Sequence, residues 1–310
     1  MCSVSVSACP AKCAIENSLS LPKPTPPTPS KDDFDVLLSI GHGASSSVFL
    51  VREKATQKLY SLKQSPRQGQ SSDVEQEQHI LQAVASLPNA PRSLLSLAAS
   101  WTDSEFFYLL TPWCEGKDLS SLLVSDHCFT ADRVKQYMIQ LVLALDALHG
   151  LNVVHRDIKP ANVFLTQDGN IVLGDFGFAK LFNTSLTNGH HAPIEVSFDD
   201  DVSCTTRERC GTLHWMSPAQ HAGTPYSFDA DMWGLGMLMF KMLSSKLPFG
   251  EDANTPAELR AAYANDPIDF RAEYEIGAEA QDLIRGLLAK EAKDRMTLDQ
   301  MKAHPYFSGM

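Results

Sequence analysis

The chain has 310 residues, 44% of them hydrophobic, and a formal net charge of −11 at pH 7. This length and composition allow a large buried core, in one domain or in two lobes. The negative charge argues against broad nucleic-acid binding or a polybasic membrane surface, because both need clustered lysine and arginine. We therefore expect no nucleic-acid partner and no membrane association.

The cysteine pattern and the N-terminal sequence indicate an intracellular protein. The seven cysteines show no paired CxxC spacing, so neither a zinc site nor a disulfide framework is predicted. The sequence has no apolar run long enough to span a membrane, and its start lacks the basic and apolar regions of a secretory signal. We expect a location in the cytoplasm, the nucleus or both.

Residues 1–33 form a leader rich in serine and proline. The segment LPKPTPPTPS, residues 21–30, favours extended polyproline II conformation, and the composition predicts disorder. A sharper interpretation is that Thr25 and Thr28, each followed by proline, are targets of a proline-directed kinase.

From Phe34 onward the sequence predicts a small antiparallel sheet. Five apolar segments separated by glycine or polar turns are expected to be strands: residues 34–41, 46–53, 58–65, 94–101 and 105–113. One helix is predicted between the third and fourth strands, with apolar residues at helical spacing: Val74, Ile80, Leu81, Val84 and Leu87.

The remaining chain is predicted to be mostly helical. Residues 131–150 place six apolar side chains on one stripe: Val134, Tyr137, Met138, Leu141, Leu145 and Leu148. Residues 227–243 are apolar nearly all round, as in a buried helix, and residues 278–290 form an amphipathic helix. The predicted fold class is therefore α+β, with a small sheet-rich lobe at 34–114 and a larger helical lobe at 115–310.

A glycine cluster, IGHGASSSV at residues 40–48, lies between the first two predicted strands. Glycines let the backbone approach a phosphate closely, but this cluster alone indicates only a flexible hairpin. Three further features follow it in the chain. Lys63 ends a predicted strand, HRDIKPAN occupies residues 155–162, and Asp-Phe-Gly occupies residues 175–177.

These features, in this order, resemble the signature set of the eukaryotic protein kinase family. The resemblance covers about residues 34 to 307 and includes DMWGLG at 231–236 and KDRMT at 293–297. Lys159, after the catalytic aspartate, and Thr212, after Gly211, are typical of the Ser/Thr type.

The resemblance implies a bilobal protein-kinase fold. It also implies an enzyme that transfers the γ-phosphoryl group of ATP, with Mg²⁺, to a hydroxyl of a protein substrate. The likeness extends in part to the cyclic-AMP-dependent kinase relatives, whose C-terminal tail has no counterpart before the chain stops at Met310. The group within the family is therefore left open.

The family's phosphate-binding lysine corresponds to Lys63, which would hold the α- and β-phosphates. Its orienting glutamate would be Glu77. Glu75 is the alternative, although it lies two residues earlier and so roughly on the opposite helix face.

The catalytic loop, residues 155–162, and the Asp-Phe-Gly motif would supply the base and the metal ligands. The resemblance makes Asp157 the acceptor of the hydroxyl proton, with Lys159 beside it, and makes Asn162 and Asp175 the magnesium ligands. The negative charge of the triphosphate has to be neutralised. Carboxylates therefore bind the metal ions, and a lysine binds the phosphates directly.

The nucleotide would bind between the glycine cluster and the hinge, Pro112-Trp113-Cys114. Thr111 would be the gatekeeper, the Cys114 backbone would face adenine, and Asp118 would reach the ribose. Val48 and Phe164 would sandwich the base. The full nucleotide-binding set is Ile40, Gly41, Gly43, Ser46, Val48, Ser61, Lys63, Thr111, Pro112, Cys114, Asp118 and Phe164.

Three departures from the family pattern stand out. Ser46 replaces the third glycine, residues 183–201 form an apparent insertion, and Ala219 replaces the glutamate of the Ala-Pro-Glu motif. That glutamate usually pairs with the arginine that is Arg295 here, and an unpaired buried charge is costly. Either Gln220 or a nearby acid substitutes, or Arg295 faces water.

These departures keep an alternative open, a non-catalytic pseudokinase scaffold or a kinase that depends on an activator. The retained lysine, glutamate, aspartates and asparagine favour an active enzyme. The leader and the activation loop, between Gly177 and Ser217, are candidate contacts for a regulatory partner.

One position in the activation loop carries a separate hypothesis. Glu208 stands where cyclic-AMP-dependent kinases are normally phosphorylated, and Arg156 and Lys180 are cations placed to meet it. Glu208 would then partly replace phosphothreonine and give basal activity. The alternatives are a solvated loop charge at Glu208 and phosphorylation of Thr205 or Thr206.

Two positions bear on the protein substrate. Ala161 and Lys241 stand where arginine-directed kinases often carry glutamate, so arginine-directed substrates are disfavoured.

Overall fold

The computed structural model describes residues 29–42, 46–67, 71–182 and 204–308. Most of the predicted leader, Gly43 and the predicted insertion at 183–201 therefore lie outside the described residues.

Five strands near the N-terminus form an antiparallel sheet with one helix. The elements are β1 (Phe34–His42), β2 (Ser47–Glu53), β3 (Leu59–Pro66), α1 (Ser71–Ala85), β4 (Ala99–Thr102) and β5 (Phe106–Pro112). The strand order is β1-β2-β3-β5-β4. This register sets Lys63 on β3 directly opposite Val48 on β2 and Leu109 on β5.

The rest of the chain is mainly helical. Its helices are α2 (Leu119–Asp126), α3 (Ala131–Gly150), α4 (Pro218–Ala222), α5 (Asp229–Ser244), α6 (Pro256–Asn265), α7 (Ala278–Leu287) and α8 (Leu298–Lys302). Two short antiparallel pairs join β6 (Val153–Val154) to β9 (Lys180–Leu181), and β7 (Val163–Leu165) to β8 (Ile171–Leu173). The predicted α+β, bilobal fold class is confirmed, whereas the predicted boundary after residue 114 stays a prediction.

Helix α5 forms the centre of the larger lobe. Trp233 and most of its neighbours are buried, and the predicted stripe on α3 is buried as well. A Cβ on Gly234 would lie 2.9 Å from Cβ of Ile158, so glycine lets α5 pack directly on the catalytic loop. Among the described helices, none is both long and apolar enough to cross a bilayer.

One predicted strand is shorter than expected. Residues 94–101 were predicted to pair as a whole, but only β4, which starts at Ala99, joins the sheet. Leu94 is buried, and the Leu95 amide donates to the Leu173 carbonyl of β8 at 2.9 Å. The apolar run is therefore divided, because Leu94 and Leu95 contact β8 on the larger lobe and only the end of the run pairs with β5.

Candidate active site

A cavity of about 560 Å³ lies between the glycine cluster, the hinge and the catalytic loop. Its volume is in the range of small-molecule and cofactor sites. The predicted nucleotide-binding residues line it, apart from Gly43, which lies outside the described residues: Ile40, Gly41, Ser46, Val48, Ser61, Lys63, Thr111, Pro112, Cys114, Asp118 and Phe164. The predicted metal ligands, Asn162 and Asp175, line the same cavity.

Several lining residues were missed from the sequence: Leu81, Leu95, Leu109, Trp113, Lys117, Ala161 and Phe176. Most of them adjoin a predicted site residue, so proximity in the chain was an available signal. Leu95 had no such signal, because it reaches the cavity through its pairing with β8.

Lys63 and Glu77 form a close ion pair on the inner wall of the cavity. The Lys63 Nζ lies 2.8 Å from Oε1 and 2.7 Å from Oε2 of Glu77, which is buried, whereas Glu75 is exposed. Burial disfavours the charged lysine, but the carboxylates of Glu77 and Asp175 outweigh it and raise the pKa of Lys63. The ammonium group is therefore held charged at the cavity wall.

The Asp157 carboxylate is fixed by three donors. Its Oδ2 accepts from Lys159 Nζ at 2.7 Å and from Asn162 Nδ2 at 3.0 Å, and its Oδ1 accepts from the Thr212 amide at 2.7 Å. Lys159 Nζ also donates to the Thr212 hydroxyl at 2.5 Å. The catalytic loop and the activation loop thus meet at this carboxylate, which is 1% exposed.

A buried aspartate on α5 holds the catalytic loop in a strained conformation. The Asp231 carboxylate accepts from the backbone amides of His155 at 2.9 Å and Arg156 at 2.8 Å. Arg156 has a φ of 69° and Asp175 a φ of 60°, in the left-handed region that non-glycine residues rarely adopt. Such strain persists only where surrounding contacts enforce it, as Asp231 does here for Arg156.

The donor set of Asn162 and Asp175 suits a magnesium ion. Both hydrogen bonds made by the Asn162 side chain use Nδ2, so its amide oxygen is left for a cation. The Asp175 side chain is 44% exposed, and its Oδ1 lies 3.9 Å from Lys63 Nζ. Amide and carboxylate oxygens are the ligands that Mg²⁺ prefers.

Cys114 and Asp118 line the hinge side of the cavity. Burial raises the pKa of the Cys114 thiol to about 11, so the side chain stays protonated near neutral pH. The Asp118 carboxylate caps α2, where it accepts from the Ser121 amide at 2.8 Å. The residue predicted to reach the ribose therefore also fixes the start of a helix.

The activation loop contacts the catalytic loop through Glu208. Its Oε2 lies 2.7 Å from Arg156 Nη1, and its Oε1 pairs with Lys180 Nζ. Burial opposes ionisation of Glu208, but its hydrogen bonds to Lys180 and Arg156 prevail and lower its pKa to about 2. Thr206 is buried, and its hydroxyl accepts from Lys180 Nζ at 3.3 Å.

The partner of Arg295 is a nearby acid. Arg295 Nη1 donates to the Asp229 carboxylate at 2.8 Å, while its remaining N–H groups donate to the Asp229, Ala289 and Lys290 carbonyls. All five guanidinium donors are therefore used, and the side chain is 1% exposed. Gln220, the other suggested partner, instead donates to the Arg156 carbonyl at 3.1 Å.

Replacing Asp229 with asparagine is expected to lower the free energy of unfolding by about 3 kcal/mol, because Arg295 would remain buried without its counter-charge. Urea denaturation of the two proteins measures the difference. Asp269→Asn removes the exposed partner of Arg271 and is the control, with no change expected. Equal stability of Asp229→Asn and the parent would show that the pair is dispensable.

The comparison with known proteins agrees with this fold. The model of the protein kinase domain matches residues 34–307, and the chain belongs to the eukaryotic Ser/Thr protein kinase family. It is 31% identical to the probable serine/threonine protein kinase IRE4 of Arabidopsis thaliana, over 91% of this chain and 28% of the relative.

Two further relatives carry similar names. The serine/threonine-protein kinase YPK1 of Saccharomyces cerevisiae is 32% identical over 90% of this chain and 38% of its own length. The serine/threonine-protein kinase Sgk1 of Danio rerio is 29% identical over 96% of this chain and 68% of its own length. The chain thus spans well under half the length of the first and second of these three relatives.

Proposed function

We propose that this chain transfers the γ-phosphoryl group of Mg-ATP to serine or threonine hydroxyls of protein substrates. The observation that carries the proposal is the position of Asp157. Its carboxylate is fixed by three donors, and one of them, Asn162, also lines the nucleotide-sized cavity that holds Lys63. This arrangement supports the proposal of a base next to the phosphate-binding groups.

Lys63 is the phosphate-binding group in this proposal. Glu77 holds the ammonium group by two hydrogen bonds and keeps it pointed along the cavity wall. A charged lysine fixed in this way attracts phosphate oxygens without having to be reoriented during the reaction.

Asp157 is the group that orients the acceptor hydroxyl and takes its proton. An ionised carboxylate has about four acceptor sites, and three donors already occupy Asp157. One site on Oδ1 remains, which a substrate hydroxyl can fill.

Asn162 and Asp175 would hold the magnesium ions. When bound, magnesium supplies positive charge that screens the triphosphate. The protein's contribution is to position its ligands, since Nδ2 of Asn162 is anchored on Asp157 and the Asp175 backbone is held in an unusual conformation.

The test is transfer of labelled γ-phosphate to protein serine and threonine by the purified, phosphatase-treated chain. We expect transfer with Mg-ATP, loss of transfer when EDTA removes the metal, and recovery when Mg²⁺ is restored. ATP binding without transfer to any hydroxyl would contradict the proposal and favour a non-catalytic scaffold. An intracellular setting and a regulatory partner acting through the leader or the activation loop stay predictions.

A further inference from the structure

A second cavity, of about 400 Å³, lies beside the catalytic loop, between α2 and α5. We call it the lysine groove. The lining residues that matter here are Val124, His127, Lys159, Ala161, Trp215 and Lys241. The roles proposed above for the residues of the nucleotide cavity do not give this groove a function.

The groove is basic although the whole chain is acidic. Lys159 and Lys241 line it together with His127, and no aspartate or glutamate is among its described lining residues. The net charge of the chain is −11, so the positive charge of the groove has the opposite sign to the charge of the whole chain. Local positive charge of this kind attracts anionic groups.

Lys241 is the cation that is left for a ligand. Its Nζ donates to the Ser245 carbonyl at 2.7 Å, and no carboxylate of the described chain lies within 4 Å of it. Burial lowers the pKa of Lys241, and the Glu251 carboxylate, which pairs with Lys246 and lies more than 4 Å from Lys241 Nζ, opposes this shift without offsetting it. Its neighbour Lys246 differs, since its Nζ lies 3.4 Å from the Glu251 carboxylate. Lys159 is already engaged by Asp157.

The groove adjoins the reacting groups on two sides. Lys159, on its wall, lies 2.7 Å from the Asp157 carboxylate. Ala161 lines both the groove and the nucleotide cavity. A peptide that placed a hydroxyl at Asp157 would therefore have neighbouring side chains within reach of the groove.

We propose that the lysine groove binds an anionic side chain of the protein substrate, close in sequence to the serine or threonine that is phosphorylated. Lys241 pairs with that anion, and Trp215 and the 78% exposed Val124 pack against its aliphatic part. The anion is a carboxylate or a phosphate already on the substrate. This inference rests on the proposed function, because it names the substrate class of the same site.

The test compares serine peptides in which each flanking position is in turn glutamate, glutamine, arginine or phosphoserine. For the parent enzyme we expect kcat/KM to be about fivefold higher with glutamate than with glutamine at one position, as for a partly exposed ion pair. Lys241→Gln should bring that ratio close to one, and Lys241→Glu should make arginine the preferred residue. The glutamine side chain can still donate to the Ser245 carbonyl, so the substitution removes mainly the charge. The ratio of kcat/KM for two peptides does not depend on the fraction of enzyme that is folded.

Lys246→Gln is the matched control, because it removes a nearby lysine that does not line the groove, and its ratio should equal that of the parent. A parent enzyme that phosphorylates the peptides without preferring an anion would overturn the inference and leave the proposed function standing. So would a preference that survives Lys241→Gln. If no peptide is phosphorylated, the proposed function fails and the inference falls with it. A stronger preference for phosphoserine than for glutamate would identify the phosphate as the anion.

Discussion

Replacing Asp157 with asparagine is expected to lower kcat about a thousandfold, because the proposed acceptor of the hydroxyl proton is lost. Asparagine has the same size but a single acceptor oxygen. Since Asp157 accepts on both oxygens, the new amide nitrogen would also face a donor, either Thr212 on one side or Lys159 and Asn162 on the other. The substitution therefore removes the base and misplaces the acceptor site.

The measurement is kcat with a protein substrate together with the Kd for Mg-ATP. Affinity for ATP should change little, because Asp157 is not among the residues that line the nucleotide cavity. Asp168→Asn is the control, since Asp168 is an exposed residue in the turn between β7 and β8, and its kcat should equal that of the parent. Retention of parental kcat by Asp157→Asn would show that another group takes the proton.

Replacing Glu208 with glutamine should lower the activity of unphosphorylated protein about tenfold, a coupling of about 1.4 kcal/mol. Glu208 bridges Arg156, next to the proposed base Asp157, and Lys180 on β9. Glutamine keeps the size but removes the charge that both cations share. Arg156 Nε also donates to the Phe178 carbonyl at 2.6 Å, so loss of the bridge acts on the segment that follows Asp-Phe-Gly.

The measurement is kcat/KM after phosphatase treatment, for Glu208→Gln, Lys180→Gln and the double variant. The double variant should lose less than the sum of the single losses, since both singles break the same bridge. Glu279→Gln, at an exposed helix start, is the control. The idea that Glu208 supports basal activity fails if the parent and Glu208→Gln turn over equally.

The pH dependence of this effect follows from the lowered pKa of Glu208. A carboxyl whose pKa is depressed in the folded state stabilises that state above its ordinary pKa, and the gain is lost as the pH falls toward about 2. The Glu208 carboxylate is therefore fully ionised near neutrality. The ratio of parent to Glu208→Gln activity should accordingly stay constant between about pH 6 and 8.

Much of the site could be predicted because its residues belong to short motifs with fixed local geometry. Lys63 lies within β3, so its side chain position follows from the sheet register. Glu77 could be preferred over Glu75 because residues two positions apart on a helix point in different directions. The structure buries Glu77 and exposes Glu75. Asp157 and Asn162 lie five residues apart in one loop, which limits how far they can separate.

Other features depend on packing between distant segments and leave no local pattern. The Asp229–Arg295 pair joins residues 66 positions apart, and no periodicity or motif indicates which acid would replace the missing glutamate. Residues 94–101 have the composition of a strand, but Leu94 and Leu95 contact β8 on the larger lobe and do not join the sheet. Strand propensity alone does not decide whether such residues pair in the sheet or pack on the larger lobe.

The bridge at Glu208 has a consequence for how such a protein would be turned off. A phosphate on a loop can be hydrolysed, which lets a phosphatase end a signal within the lifetime of the enzyme. A carboxylate encoded in the chain cannot be removed in this way, and Thr206, beside it, is buried. A kinase held active by Glu208 would be silenced by degradation, by sequestration or by limiting its substrates, so its abundance would set the duration of its output.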